Sequence, residues 1–127
     1  MIYLVSVYSH ADANVRQHRF DAACAAAAVL IRAGHIAFSL VVHGHPLTRH
    51  GLPGNWSFWE ADARWHLERC DEVVVLMLDG WEESVCVQAE IAIAEKLEKF
   101  VWYRFPVRGT TPTLANGAQN QLTCAQM

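Results

Sequence analysis

A single glutamate stands among apolar neighbours on a predicted helix from about Ser84 to Leu97. The residues one turn away from Glu90 are all apolar, namely Cys86, Val87, Ile93 and Ala94. Because residues three and four apart share a helix face, Glu90 lies on the face that packs inward. A carboxyl group there is costly unless it is paired, hydrogen-bonded or used in chemistry. Taken alone, a structural carboxylate is as good an interpretation as a catalytic one.

The turn before this helix adds polar groups at the same place. Asp79 and Gly80 follow the apolar run Glu72–Leu78, which predicts a buried strand. The carboxyl ends of strands in open α/β sheets border the ligand crevice. Ser84, which opens the helix, could bind a phosphate or a sugar hydroxyl. A plain N-cap is an equal alternative for Ser84, and a turn residue is the favoured role for Asp79.

The remaining elements alternate between strand and helix. Strands are predicted at Ile2–Val7, His35–Val42, Glu72–Leu78 and Lys99–Phe105, and helices from Asp12 or Asn14 to Ala33, over Trp56–Arg69 and from Ser84. This order predicts an α/β three-layer sandwich with a parallel sheet of four to five strands, of the Rossmann or flavodoxin-like type. Residues 1–106 form the domain, and residues 107–127 are predicted to be a polar, loosely ordered tail.

Composition excludes several classes of protein. The 127 residues suffice for one domain, and the formal charge of −3 argues against a nucleic-acid-binding surface. No apolar run approaches the ~20 residues of a membrane span, and the N-terminus lacks the pattern of a signal peptide. The four cysteines have no paired spacing, so reduced thiols and a cytoplasmic location are expected. No cofactor is predicted.

A long predicted loop from His43 to Asn55 supplies further candidates. Its three histidines are His43, His45 and His50, and His10 follows the first strand. A metal site is possible chemically, but the loop has no carboxylate or thiol partner, so a polar cleft lining with His43 on the ligand is favoured and no metal is predicted. Trp56, directly after the loop, could stack on a base. Trp81 could form a pocket wall or an oligomer contact.

Two arginines lie near the start of the first predicted helix. Arg16 and Arg19 are close to the predicted crevice and could meet a phosphate. Solvent exposure is the commoner situation for arginines on such a helix, and is the interpretation favoured here.

Three segments together resemble a known family. They are Tyr3 to Ser9, Cys70–Asp71, and Gly80 to Ser84 leading to Ala89–Glu90. Over roughly residues 1–105 the chain resembles the DUF1937 proteins of bacteria and phages. These in turn resemble the nucleoside 2-deoxyribosyltransferase superfamily, which includes deoxynucleoside 5′-monophosphate N-glycosidases and CMP hydrolases.

The resemblance implies roles for particular residues. Glu90 would be the nucleophile, Ser84 would help to hold a 5′-phosphate, and Tyr8 would lie near the base. Asp62, on the helix before the third strand, would orient the base or act as a general acid, with Asp79 as the alternative acid. Two departures stand out. Cys86 occupies a position that is usually glycine, and Ser6, Tyr8, Ser9 and His10 replace a glycine-rich loop.

The expected function is hydrolysis or transfer at an N-glycosidic bond. A carboxylate near C1′ would attack the sugar as it gains oxocarbenium character, while an acid assists the departing base. The expected partner is a small nucleoside or nucleotide, contacted by Ser6, Ser9, Gly80 and Trp81 among others. The resemblance also implies a homodimer or higher homo-oligomer. The alternatives are a non-catalytic nucleotide-binding or sensing module and an accessory protein that acts by protein contact.

Overall fold

Four parallel strands form the centre of the molecule. The computed structural model describes residues 1–107, and the predicted tail from residue 108 lies outside them. The strands are β1 (Ile2–Val5), β2 (Ala37–Ser39), β3 (Glu72–Leu76) and β4 (Phe100–Arg104), in the order β2-β1-β3-β4. The helices are α1 (Ala13–Arg32), α2 (Leu40–Thr48), α3 (Trp56–Arg69) and α4 (Val85–Lys96). The predicted three-layer α/β sandwich is confirmed, with four strands in the described part.

The direction of each crossover decides which face a helix covers. The step from β1 to β2 runs one way along the sheet, and the steps to β3 and β4 run the other way. Right-handed crossovers therefore put α1 on one face and α3 and α4 on the opposite face. The contacts agree, since α1 packs on β2 while α3 packs on α4 and α4 packs on β4.

Two of the long helices begin as their sequences predict. The Asp12 side chain accepts a hydrogen bond from the Asn14 amide at 2.8 Å and caps α1. Buried alanines at Ala22, Ala23 and Ala26 then let α1 lie close to the sheet. Ser84 caps α4 by accepting from the Val87 amide at 3.1 Å. Each cap satisfies a main-chain donor that the helix itself leaves unpaired.

The segment after α1 differs from the prediction. The second strand spans Ala37–Ser39 rather than His35–Val42, and the first half of the predicted His43–Asn55 loop is helix α2, Leu40–Thr48. Ser39 is the cause, because its hydroxyl accepts from the Val42 amide at 3.1 Å and starts a helix directly after the strand. Pro46 suggested a loop, but it lies in the last turn of this nine-residue helix.

Candidate active site

Glu90 is a buried residue that lines a pocket and is hydrogen-bonded to a tyrosine of the central strand. Its side chain is only 5% exposed, and the Tyr3 hydroxyl donates to its Oε2 at 2.5 Å. Burial raises the pKa of the Glu90 carboxyl to about 8, and the hydrogen bond from Tyr3 opposes that rise. Burial and the nearby Glu90 charge raise the pKa of the Tyr3 phenol, which therefore stays a donor. Glu90 is thus the neutral acid over most of the physiological range.

The pocket that Glu90 lines has a mostly apolar surface with several polar residues. It holds about 60 Å³ of space for water-sized molecules, several times what a single buried water requires. Its apolar and small lining residues include Leu4, Leu40, Val41, Gly44, Trp56, Trp59 and Cys86, and its polar ones include Ser6, Tyr8, Ser9, His45, Thr48 and Asn55. Such a mixture is typical of small-molecule sites.

One polar group in this pocket has no partner within the described chain. Ser6, the first residue after β1, is buried, and its Oγ makes no hydrogen bond to any of residues 1–107. A buried hydroxyl without a partner is costly. Because Ser6 lines the pocket together with Glu90, a bound ligand would supply the missing partner.

A hydrogen-bonded chain orients Tyr8 in this pocket. The Tyr8 hydroxyl lies 2.6 Å from His45 Nδ1, and His45 Nε2 lies 3.2 Å from Gln17 Oε1. Burial, followed by the charge of Arg49, lowers the pKa of His45. A neutral His45 that donates from Nε2 to Gln17 accepts from Tyr8 at Nδ1. The Tyr8 oxygen then keeps its lone pairs for a ligand.

Arg19 joins the loops that follow β1 and β3. Its guanidinium donates to the main-chain oxygens of Ser9 at 2.7 Å, Tyr8 at 3.4 Å and Asp79 at 3.3 Å. The residue is 8% exposed, and its Nε has no partner among residues 1–107. Burial lowers the pKa of Arg19 and the Asp79 charge opposes this, yet a guanidinium remains charged at any physiological pH.

A second, more open pocket lies beside the first. It is lined by Val7, Ser9, His10, Arg19, Trp56, Gly80, Glu83, Ser84, Val85 and Cys86. Ser9, Trp56 and Cys86 line both pockets, so the two are adjacent. A buried arginine and the N-terminal end of α4 therefore border a space next to the Glu90 pocket, and both favour a negative group. Glu83 contributes the opposing charge.

Gly80 is required for this arrangement. Its φ is +91°, and a Cβ at this position would lie 3.0 Å from Arg19 Nη2. Any side chain would therefore be strained by the backbone and would also press on the guanidinium.

The structure brings most of the predicted site residues to these pockets. Glu90, Ser6, Tyr8, Ser9 and Trp56 line the first, and Gly80 and Ser84 line the second. The Ser9 hydroxyl donates to the Gly54 carbonyl at 3.2 Å and so joins the β1 loop to the segment before α3.

The other predicted residues lie elsewhere. His43 is exposed and its ring packs on Phe38 at 5.8 Å, whereas His45 lines the pocket. Trp81 packs on Tyr103 of β4 at 5.6 Å. Asp62 and Asp79 are exposed. The charge of Asp62 contributes to the raised pKa of Tyr3, and Arg19 donates a hydrogen bond to the main-chain oxygen of Asp79.

Two site residues, Tyr3 and Trp59, were missed by sequence reasoning, and a third, Arg19, has an environment other than the expected one. Tyr3 was hidden within an apolar strand, although a buried phenol needs a hydrogen-bond partner and was itself a signal. Arg19 was expected to be exposed and is buried, because three carbonyl groups converge on it. Trp59 is not among the predicted site residues, but it lines the pocket and its indole donates to the Pro53 carbonyl at 2.7 Å.

Residues 1–107 hold neither a metal-binding cluster nor a membrane span. Within this segment, no three His, Cys, Asp or Glu side chains are grouped so that they could hold a metal ion. None of its helices is long and apolar enough to cross a membrane. The thiols of Cys24, Cys70 and Cys86 are free.

Comparison with known proteins places the chain in one family. Residues 1–104 match the profile of the family described as "Domain of unknown function (DUF1937)". A search of curated proteins finds no match. Since the profile covers most of the chain, the protein belongs to the DUF1937 family.

Proposed function

We propose that this DUF1937 protein cleaves the N-glycosidic bond of a nucleotide, with Glu90 as the group that attacks C1′. The observation that carries the proposal is the buried Glu90 carboxyl, which is held by Tyr3 and lines a pocket that is otherwise largely apolar. A carboxyl group buried in a pocket at the carboxyl end of a parallel sheet is typical of a functional site.

The pocket offers complementary surfaces for the parts of such a substrate. Trp56 and Trp59 provide aromatic surface for the base, and the Tyr8 hydroxyl provides a hydrogen-bonding group beside them. With C1′ above Glu90, the ionised carboxylate forms a bond to C1′ while the bond to the base breaks. The glycosyl-enzyme ester is then resolved by water or by a second base. The departing base also requires a proton; solvent water is its proposed source, because Asp62 and Asp79 are exposed and line neither pocket.

The second pocket favours a phosphorylated substrate over a free nucleoside. Arg19 and the amino end of α4 border a space adjacent to the Glu90 pocket. A 5′-phosphate placed there would meet a buried guanidinium and a helix N-terminus at once. Ser84 adds a hydroxyl to the same space.

The test is release of free base from a panel of nucleosides and 5′-monophosphates, followed by chromatography. We expect release from a monophosphate by the wild type and none by Glu90→Gln. Glu95→Gln is the matched control, because Glu95 lies on the same helix but is exposed, and it should retain activity. Equal release by wild type and Glu90→Gln would contradict the assignment.

One observation favours a second candidate, a nucleotide-binding or sensing module without turnover. Burial raises the pKa of Glu90 to about 8, so the carboxyl is mostly neutral near pH 7, and a neutral carboxyl is a poor nucleophile. This candidate predicts saturable binding of a nucleotide by calorimetry, with no base released over prolonged incubation. The cleavage proposal requires both binding and release.

A further inference from the structure

The edge strand β4 exposes an unusual amount of aromatic surface. Phe100 is 74% exposed, Trp102 is 53% exposed, and Tyr103 and Phe105 are also exposed. Phe100 and Trp102 lie two residues apart on one face of the strand, with their rings stacked at a centroid distance of 6.3 Å. Among residues 1–107, β4 is the last strand of the sheet, and no described strand pairs with its outer side. Apolar edges of this kind promote pairing with a further strand.

The hydrogen bonds of β4 identify which main-chain groups face outward. The Arg104 carbonyl accepts from the Met77 amide at 2.8 Å, so it points toward β3. Because the direction alternates along a strand, the main-chain groups of Val101 and Tyr103 point away from β3. These groups are placed to bond a strand added at the edge.

We propose that β4 pairs antiparallel with β4 of a second copy of this chain, about a two-fold axis at Trp102. In this register Val101 of one copy lies opposite Tyr103 of the other, and these residues exchange main-chain hydrogen bonds on both sides of the axis. Trp102 then faces Trp102 at a non-hydrogen-bonded position, where side chains approach most closely. The four described strands of each copy then form one continuous sheet.

The side chains of β4 are self-complementary in this register. Arg104 of each copy lies opposite Phe100 of the other, which permits a cation–π contact. The two Arg104 side chains lie at opposite ends of the interface, so like charges do not meet. Glu98 precedes β4 at the end that Arg104 of the second copy approaches, so the charges are complementary there as well. A two-fold interface requires such self-complementarity.

The composition of β4 favours a second copy of this chain as the occupant. The strand is rich in Phe, Val, Trp and Tyr, which pair well across strands.

The test is the mass of the full chain in solution by sedimentation equilibrium. We expect twice the chain mass of 14.3 kDa for the wild type and at least a tenfold weaker association for Trp102→Lys, because two lysines would face each other. Trp65→Lys is the matched control, since Trp65 on α3 is equally exposed at 52%, and it should remain dimeric. A monomeric wild type, or equal weakening by both variants, would overturn the proposal.

A crosslinking experiment tests the register separately. Trp102→Cys should form a disulfide between copies under mild oxidation, because residues at a non-hydrogen-bonded antiparallel pair are close enough for one. Tyr103→Cys should not crosslink, since it faces Val101 of the second copy. The wild type, with its native cysteines, reports background oxidation. Crosslinking at 103 and not at 102 would overturn the stated register.

Discussion

The Glu90 carboxyl combines burial, a single tyrosine donor and access to a pocket. Burial favours the neutral acid, and the Tyr3 hydroxyl favours the carboxylate. Because these two effects on the pKa of Glu90 oppose each other, a modest change in its surroundings alters the charge of the carboxyl. A substrate that develops positive charge at C1′ would favour ionisation at the moment when a nucleophile is needed. This is the physical link between the structure of the site and the proposed chemistry.

Glu90 should make stability depend on pH. Its pKa is raised to about 8 in the folded chain, so between about pH 5 and pH 8 the folded protein binds one more proton than the unfolded chain. The free energy of unfolding should therefore fall with rising pH across this window, by about 1.4 kcal/mol per unit at most. Denaturant titrations at several pH values measure the slope. Glu90→Gln should flatten it and Glu95→Gln should not; an unchanged slope in Glu90→Gln would show that another group titrates.

The same carboxyl should set the pH dependence of turnover. If Glu90 attacks as the carboxylate, kcat/KM should rise with pH to a plateau above about 8. If it instead donates a proton, kcat/KM should fall through the same pH. Initial rates of base release across this range separate the two roles, and a falling profile would contradict nucleophilic attack.

Tyr3→Phe should perturb the site without removing Glu90. The buried carboxyl loses its hydrogen-bond donor at 2.5 Å, so its pKa should rise further and the kcat/KM profile should move to higher pH. Stability should fall by about 1–3 kcal/mol, the usual cost of leaving a buried polar group unpaired. Chemical denaturation and the rate profile are the measurements. A rate profile that stays in place would mean that Tyr3 does not control Glu90.

At the level of elements, the site is formed by residues at the carboxyl ends of strands and at the start of a helix. The loops after β1 and β3 are joined by Arg19, and α4 begins at Ser84 beside them. The sequence predicted these elements because apolar strands and helix caps are local signals. It did not predict α2, because the glycine and proline residues in this segment are typical of loops, whereas the cap at Ser39 starts a helix there. It also did not predict the Tyr3–Glu90 pair, because that contact joins residues 87 positions apart.

Gly80→Ala should lower the stability of the protein more than most substitutions in a surface turn do. The residue has a φ of +91° and its added Cβ would lie 3.0 Å from Arg19 Nη2, so strain of about 1–2 kcal/mol from the backbone adds to displacement of the guanidinium. Gly54→Ala is the control, since a Cβ added there would have nothing within 4 Å. Thermal unfolding of both variants measures the difference. Equal midpoints would contradict a structural role for this turn.

Ser84 has a structural and a proposed binding role that can be separated. Ser84→Ala and Ser39→Ala each remove a cap with a hydrogen bond of 3.1 Å, so each should cost about 1 kcal/mol of stability. If Ser84 also contacts the 5′-phosphate, only Ser84→Ala should raise KM for a monophosphate. If both variants lose the same amount of stability and neither changes KM, then Ser84 acts only as a helix cap.

At the scale of the whole molecule, the site and the proposed association surface lie on different elements. The pockets open at the carboxyl ends of β1 and β3, whereas the aromatic surface follows the length of β4. The ring contact of Trp81 with Tyr103 links the site's turn to that edge strand. The match to the DUF1937 family includes both the pocket residues and β4, since it extends through Arg104.

The most direct test of the central claim is to trap the sugar on Glu90. A 2′-deoxy-2′-fluoroarabinosyl nucleoside 5′-monophosphate slows the second step, because fluorine destabilises the oxocarbenium character that hydrolysis of the ester requires. Intact mass spectrometry should then show one added glycosyl phosphate per chain, with one equivalent of base released and the adduct on the peptide that contains Glu90. Release of base from the natural substrate with no adduct, or an adduct on another residue, would contradict the assignment of Glu90 as the nucleophile.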